Sequence, residues 1–565
     1  MFLITVLKKV VPYPLRAYPW VDKLKTRIKY HLTISGRLKS QLSFAERSES
    51  QKIFAGKRVL IPLIETSHYQ YHHILGIGKA LQLRGAEVKV LVCGEVLNGC
   101  EIKSVRNEGD KDPCWNCRFN VEHILPLYGL ETLKIQHIMP ASEITKIRSI
   151  AAKLISERAS IQRCEINLDR SVQDSLIRYY YGAVPVDEKQ VGKVRQDHSM
   201  SALLTAEVAR RIDEEWNPNI VLCNMSCYST FEAFYKHYSN NGERFRQISI
   251  DPMNYFAITF NQLDLYKFNR FLSYRESRIS KLLSDSERAL LNEFLNKRFA
   301  GHSEIFLREA YFKLFSKNEI LAQLNLDIEK QNIFLFSNIY WDVGLSEMAG
   351  LYPGVISFVL CTIELLKNKP NIHLYIKPHP GEVFDSSSSL KGISQIVREK
   401  YPQLPANVTV IEPEWKINTY DLFPHIDLGV IFNGTVGLEM MLAGIPVVST
   451  GATTHYGLGF AAEPYTEAEY INLLLGEKEF PKYKKEDLEL FAYFYFIRSR
   501  MPFSLVKQVY GAEFAGFAFE SLDELLPGKD AQLDHLCNCI MDLKHIVVEN
   551  WPVSTPQKKQ ASNQP

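Results

Sequence analysis

At 565 residues the chain is longer than one hydrophobic core usually serves, so two domains with additions are expected. Lys and Arg total 66 against 64 Asp and Glu, and the net charge of +2 gives no global pull toward nucleic acid. No stretch reaches the ~18 consecutive apolar residues of a bilayer crossing, the short apolar start is followed rather than preceded by Lys8 and Lys9, unlike a signal peptide, and ten cysteines are too sparse for a disulfide scaffold. A cytoplasmic protein is expected.

Residues 1–40 hold nine Lys or Arg and one acid, Asp22, a local charge of +8. After Pro12, Pro14 and Pro19, the apolar Val21, Leu24, Ile28 and Leu32 recur at near-helical spacing with basic residues between them. Such a helix either packs on the body with a solvated basic face or lies on an anionic membrane surface. The second case places the chain peripherally at the inner face of the cell membrane.

From Lys57 the pattern is α/β. Residues 58–64 form a run of buried-strand type, 68–84 read as a helix, and 85–93 supply a turn and a second strand, together a βαβ unit. Residues 219–223 and 245–250 read as further strands around a helix at 229–238. Residues 262–330 lack strand signals and read as a helical connection. Strands are then expected at 333–338, 372–377, 408–412, 428–432 and 446–450, with helices at 354–368 and 436–443. Residues 484–550 read mostly as helix, and the polar tail from Pro552 as disordered. The expected order is a basic extension (1–54), a Rossmann-like domain (55–261), a helical connection (262–330), a second Rossmann-like domain (331–483), C-terminal helices (484–551) and a tail (552–565).

In an open parallel sheet ligands bind beyond the carboxyl ends of the strands, so the residues after each strand carry the functional reading. In Lys377-Pro-His-Pro a lysine and His379 stand at a strand end between prolines that fix φ, a stiff cationic corner suited to a phosphate. The structural alternative is a proline-ended strand capped by His379. Asn433-Gly-Thr-Val-Gly-Leu-Glu follows a strand and opens a helix, which turns free backbone N–H groups and the positive helix end toward the same rim. Gly434 lets an anion approach the backbone, Thr435 caps the helix or binds a phosphate oxygen, and Glu439 lies one turn on, within reach of a ribose. Together these residues predict a nucleotide site.

A rim that binds a nucleotide can also carry a general base, for which His, Asp or Glu can serve. Glu65, His68 and His72 follow the first strand, and Asp342 stands across the expected cleft; local packing is the alternative for each histidine. Cys93, Cys100, Cys114 and Cys117 are spaced C-x₆-C-x₁₃-C-x₂-C, which admits a structural zinc. Cys537 and Cys539 give a weaker signal of the same kind.

The segments Ile-Lys-Pro-His-Pro, Asn-Thr-Tyr-Asp-Leu (418–422) and Asn-Gly-Thr-Val-Gly-Leu-Glu with Gly-Ile-Pro-Val-Val resemble the C-terminal half of bacterial capsule polysaccharide biosynthesis proteins, GT-B glycosyltransferases that include Kdo transferases. The N-terminal strand, His-rich helix start, Leu-Arg-Gly-Ala-Glu-Val and Cys93-Gly-Glu are more loosely similar to related surface-carbohydrate enzymes. The resemblance covers roughly residues 55–515. It implies two Rossmann-like doubly wound parallel-sheet domains facing across a cleft, with helical N- and C-terminal extensions. It also implies a nucleotide-sugar donor, CMP- or UDP-linked, held by the second domain, and a polysaccharide or lipid-linked glycan acceptor held mainly by the first. By that likeness Lys377, His379 and Thr435 contact phosphates and Glu439 the ribose. No Asp-x-Asp motif stands at a strand end, so no metal or other cofactor is required. The same fold admits a CDP-glycerol type polyol-phosphate transferase or a sugar-nucleotide epimerase, and a third reading is a non-catalytic assembly subunit of the same shape.

Overall fold

The computed structural model describes residues 36–42, 52–65, 71–105, 110, 112–185, 187–251, 255–259, 269–300, 317–324, 326–342, 350–383, 389–415, 417–502, 506–509 and 513–547. The basic helix expected around Val21 to Leu32 lies outside them; a short helix stands at Gly36–Gln41.

The first sheet begins with β1 (Arg58–Pro62), α1 (Tyr71–Leu83) and β2 (Glu87–Val92), followed by β3 (Glu131–Lys134). A two-residue hairpin, β4 (Gln162–Arg163) with β5 (Ile166–Asn167), leads into α2 (Asp169–Tyr179) and the long α3 (Glu188–Trp216). Then come β6 (Ile220–Cys223), α4 (Tyr228–Asn240), β7 (Phe245–Asp251) and β8 (Tyr255–Thr259). Strands β3, β2, β1, β6 and β7 lie side by side and parallel, and β8 pairs antiparallel with β7. In order of appearance this is the Rossmann arrangement 3-2-1-4-5-6. Helices cover both faces, which is why Val59, Leu60 and Ile61 on β1 read as an unbroken apolar run and are all fully buried.

The connection contains α5 (Asp285–Phe299), opened by a capping box in which Ser284 and Glu287 satisfy each other's backbone N–H groups. The second sheet follows: β9 (Gln331–Phe336), α6 (Val355–Leu366), β10 (Ile372–Lys377), β11 (Val408–Val410), β12 (Leu428–Ile431), α7 (Val436–Leu442) and β13 (Val447–Ser449). Its order, β11-β10-β9-β12-β13, is parallel throughout and is again 3-2-1-4-5. After α8 (Lys485–Tyr493) the chain leaves this domain.

The expectation of helix over 484–550 is corrected here. Beyond α8, β14 (Met501–Pro502) pairs antiparallel with β8 and so rejoins the first sheet. β15 (Val506–Val509) and β16 (Glu513–Phe517) form an antiparallel pair, and α9 (Ala531–Met541) follows. Phe517, Phe519, Leu522, Leu533 and Ile540 pack into the same core as α1, β1 and β2. Gln41 ties the early helix to this segment through its Nε2, which donates to the carbonyls of Phe517 (3.0 Å) and Phe519 (2.6 Å). The chain thus crosses from the first domain to the second and back. Four strands of the first domain, β3, β4, β5 and β8, lay outside the sequence expectation.

The two domains meet where the end of α2 touches the loop after β9. Arg178 stacks over the Trp341 ring at 4.7 Å, Tyr181 packs edge-on against Trp341 at 4.9 Å, and the Leu390 N–H donates to the Tyr181 carbonyl at 3.2 Å. Gly182 has φ +86°, and a Cβ there would sit 2.2 Å from the Tyr340 hydroxyl, so only glycine lets the domains approach at this point.

Candidate functional site

A doubly wound sheet opens a crevice where its strand order reverses, between its first and fourth strands. In the second domain these are β9 and β12, and the residues that leave them are Ser337–Asn338 and Asn433–Thr435. β10 lies beside β9 and delivers Lys377, Pro378 and His379 to the same rim. All of these line one cavity of about 250 Å³, together with Arg298, Tyr420 and Glu439. The structure therefore brings Lys377, His379, Asn433, Gly434, Thr435 and Glu439 together around a single void.

Lys377 is nearly buried at the end of β10. The His379 Nδ1 accepts the Gly381 N–H at 3.0 Å, so the proton of the neutral ring sits on Nε2, which is left as a donor. Burial first, then the neighbouring Lys377, pushes the His379 pKa down to about 4, against an opposing pull from Asp342. His379 is thus a neutral donor beside a cation. Gly434 has φ +122°, its N–H donates to the Asn433 Oδ1, and a Cβ there would meet only the Asn338 Nδ2 at 3.7 Å.

Two expectations change in detail. The Thr435 side chain makes no helix-capping bond; its Oγ1 accepts from Arg298 Nη2 at 2.9 Å. Glu439 is 1% exposed, and its two oxygens are already engaged, Oε1 by Arg298 Nε and Oε2 by the Tyr420 hydroxyl at 3.0 Å. A carboxylate retains further lone pairs for a ligand hydroxyl. Asn418 holds this corner by donating to the Phe299 carbonyl at 3.0 Å, next to Arg298. Arg298 was invisible as a site residue in sequence, because its partner Glu439 is 141 positions away.

Just past Lys377-Pro-His-Pro, the buried Glu382 accepts the Ile393 N–H at 3.1 Å and anchors the following loop. Burial raises its pKa to about 8. The folded chain therefore keeps this proton up to about pH 8, whereas an unfolded carboxyl loses it near 4.5, and stability falls as pH rises across that interval. Glu382→Gln is expected to remove that loss: the stability gap over wild type in chemical melts widens from about pH 5 to about pH 8 and then levels. A pH-independent gap would disprove it.

In the first domain the corresponding crevice lies between β1 and β6. Glu65 follows β1, and its Oε1 accepts the Glu101 N–H at 2.8 Å. Burial lifts its pKa to about 7, against the pull of that N–H and of Arg178. Glu101 is raised well above the ordinary carboxylate range, by burial and then by Glu65. Its Oε1 accepts from Ser175, which also bonds Ser229 at the start of α4, and Ser229 in turn meets His198. Asp342 is exposed across the cleft, within electrostatic reach of Arg178 and His379.

His72 is corrected. It is fully buried on α1, its Nδ1 lies 2.8 Å from the Tyr128 hydroxyl, and burial holds its pKa well below the usual value. A ring sealed inside the first core does not reach a substrate. His68 lies outside the described residues. The zinc expectation is also corrected. Cys93, Cys100, Cys114 and Cys117 rim one cavity of about 140 Å³. Among the described residues, however, no three His, Cys, Asp or Glu side chains are placed to share a metal ion. Burial raises the Cys93, Cys100 and Cys114 thiols. Cys537 and Cys539 are buried in the core with α9.

Two Rossmann-ordered sheets whose switch-point crevices belong to one interdomain cleft define a GT-B architecture. No family model matches the chain, and no curated protein matches its sequence. Solved structures are similar at low identity. A beta Kdo 2,4 transferase, KpsC, of Thermosulfurimonas dismutans is 14% identical with a TM-score of 0.33, over 58% of this chain and 88% of that one. The UDP-GlcNAc 2-epimerase of Neisseria meningitidis is 12% identical (TM-score 0.19) over 69% of this chain and 82% of that one. The glycosyltransferase SnogD of Streptomyces nogalater is 12% identical (TM-score 0.19) over 78% and 94%. At these values the functional reading rests on the site's own residues. Among the described residues no helix is long and apolar enough to cross a membrane.

Proposed function

We propose that the chain is a glycosyltransferase that moves a sugar from a nucleotide donor to a surface polysaccharide or glycolipid. The observation that carries this reading is the convergence of Lys377, Arg298 and the Nε2–H of His379 on one cavity at the second switch point. Preorganised cations and donors of this kind stabilise the charge that develops on a leaving phosphate. Glu439, and the space that the missing side chain of Gly434 leaves, hold the rest of the nucleotide. Across the cleft Glu65, whose pKa of about 7 suits proton abstraction near neutrality, is the general base for the acceptor hydroxyl. Asp342 orients groups between the two crevices. The motif resemblance to capsule polysaccharide enzymes, most specific in the second domain, supports the same reading. Residues 1–40, with their local charge of +8, are the segment that would hold the enzyme at an anionic inner membrane face.

The test is a thermal-shift series with CMP, UDP, GDP and CDP. One nucleotide is expected to stabilise the fold, by about 2.7 kcal/mol at a hundred times its Kd, and Lys377→Ala is expected to abolish the shift. The absence of any shift, or one indifferent to Lys377→Ala, would remove the nucleotide site. Labelled UDP- or CMP-sugar with and without a glycan acceptor then separates the chemistries. Label entering the acceptor supports transfer, an epimer formed without acceptor supports the epimerase, and label moved only from CDP-glycerol supports the polyol-phosphate enzyme.

A further inference from the structure

The first-domain crevice contains an arginine whose hydrogen-bonding capacity is unused. The guanidinium of Arg178, in the last turn of α2, makes no hydrogen bond and no ion pair with any described residue; it only stacks, 4.7 Å from the Trp341 ring and 5.7 Å from the Tyr181 ring. Five N–H donors held in a rigid fork are rarely left without acceptors at a partly buried position.

A second observation points to the same place. Tyr228 is 2% exposed, and its hydroxyl has no hydrogen-bond partner. It lies within electrostatic reach of Arg178, Glu101 and Asp342, with Cys227 beside it. Tyr228 also opens α4 with φ +69°, a left-handed conformation that is strained for an aromatic residue. Strain and an unmet hydroxyl at one residue are both unfavourable for folding alone, and such residues cluster where a ligand is held.

The charge of the pocket selects the ligand. Facing Arg178 are three carboxyls, Glu65, Glu101 and Asp342, with Asp174 near Glu101. The Asp342 carboxylate offsets the Arg178 charge, while burial keeps Glu101 protonated and Glu65 partly so, and the pocket offers no net attraction to an anion. Donors on Arg178 interleaved with acceptors on Asp342 and Glu65 do match the hydroxyls of a sugar ring, each of which donates and accepts. We propose that Arg178 is a sugar-binding residue that grips adjacent hydroxyls of a neutral pyranose, the sugar of the nucleotide donor, between the phosphate corner and Glu65. This rests on the nucleotide-sugar reading above. The position agrees with it, because Asp342 bears on both Arg178 and His379 and so spans the distance from phosphate to sugar.

The experiment is calorimetric titration of the wild type, Arg178→Gln and Arg178→Lys with UDP, UDP-glucose and UDP-glucuronate, repeated with the corresponding pairs of another base if the thermal-shift series selects one. The last two ligands differ only in a carboxylate in place of a neutral hydroxymethyl group. In the wild type, neutral sugars are expected to bind more tightly than both the bare nucleotide and the acidic sugar. Arg178→Gln is expected to weaken UDP-glucose about 10-fold or more while leaving UDP unchanged, since hydrogen bonds from a charged group contribute about 1.5–3 kcal/mol. Arg178→Lys, which keeps the charge and loses the fork, is expected to recover only part of that. Thermal melts control for folding; the side chain loses only its stacking on Trp341 and Tyr181, so a modest drop in melting temperature is expected, and retained UDP binding shows that each variant is folded. Equal UDP-glucose binding by wild type and Arg178→Gln, or a preference for the acidic sugar, overturns the assignment while the nucleotide site stands. Failure of UDP and every other nucleotide to bind the wild type overturns both.

Discussion

Replacing Arg298 with alanine is expected to cost about 3 kcal/mol of stability, the low end for removing one partner of a buried ion pair, and to weaken nucleotide binding by about 10- to 100-fold, the loss of a charged hydrogen bond. The physical reason lies in Glu439. That carboxylate is 1% exposed, and Arg298 is the cation that compensates it; the Tyr420 hydroxyl, at 3.0 Å, is its other partner. Without the guanidinium, a buried negative charge stays beside the phosphate cavity. It destabilises the fold and repels the ligand. A double variant, Arg298→Ala with Glu439→Gln, separates the two effects. A neutral side chain removes the stranded charge, so most of the stability should return in denaturant melts. Nucleotide affinity should not return, because the cation facing the phosphate is still missing. If the single variant binds nucleotide as the wild type does, Arg298 is structural and the cationic corner reduces to Lys377 and His379.

The parts of this site that were legible in sequence are those in which a strand end and its chemistry are adjacent in the chain. Lys377 to His379 and Asn433 to Glu439 each sit directly after a buried apolar run. Strands covered on both faces give continuous runs that are hard to miss, and the switch-point rule then places their ends on one rim. Arg298, Arg178, Glu101 and Tyr228 carry no such mark. Arg298 is one of several cations on an amphipathic helix, and only the packing of that helix against α7 gives it a role. Tyr228 is marked by its backbone angle, which sequence does not show. His72 misled for the opposite reason. The stretch Tyr71-His-His-Ile looks polar, yet α1 is buried on nearly every side, between its sheet and the returning C-terminal segment. That return was itself readable in part, since Phe514, Phe517 and Phe519 stand in a stretch dense in aromatics, Glu513-Phe-Ala-Gly-Phe-Ala-Phe519, whose composition favours strand over helix.

At Glu65, substitution by glutamine is expected to lower kcat by about 10²- to 10⁴-fold, the usual contribution of a positioned general base, with nucleotide affinity close to the wild-type value. The pH profile carries the stronger discrimination. Burial sets the Glu65 pKa at about 7, although the Glu101 N–H and Arg178 pull it down. Below that value the carboxyl is protonated and cannot accept the acceptor's proton. The wild-type log kcat/KM is therefore expected to rise with a slope of about one unit per pH unit up to about pH 7 and then to level. Arg178→Gln removes one of the downward pulls and should move this limb to higher pH. Stability must show the opposite trend. The folded chain keeps the Glu65 proton up to about pH 7, whereas an unfolded carboxyl loses it near 4.5, so ionising Glu65 costs stability as pH rises between those values. Glu65→Gln abolishes that cost, and the variant is expected to be more stable than wild type at about pH 8, where it is least active. A side chain retained for packing alone would lose stability on replacement and leave the rate profile unmoved. A profile flat from about pH 5 upward, or a Glu65→Gln enzyme that turns over normally, would assign the proton transfer to another group, with Asp342 the first to test.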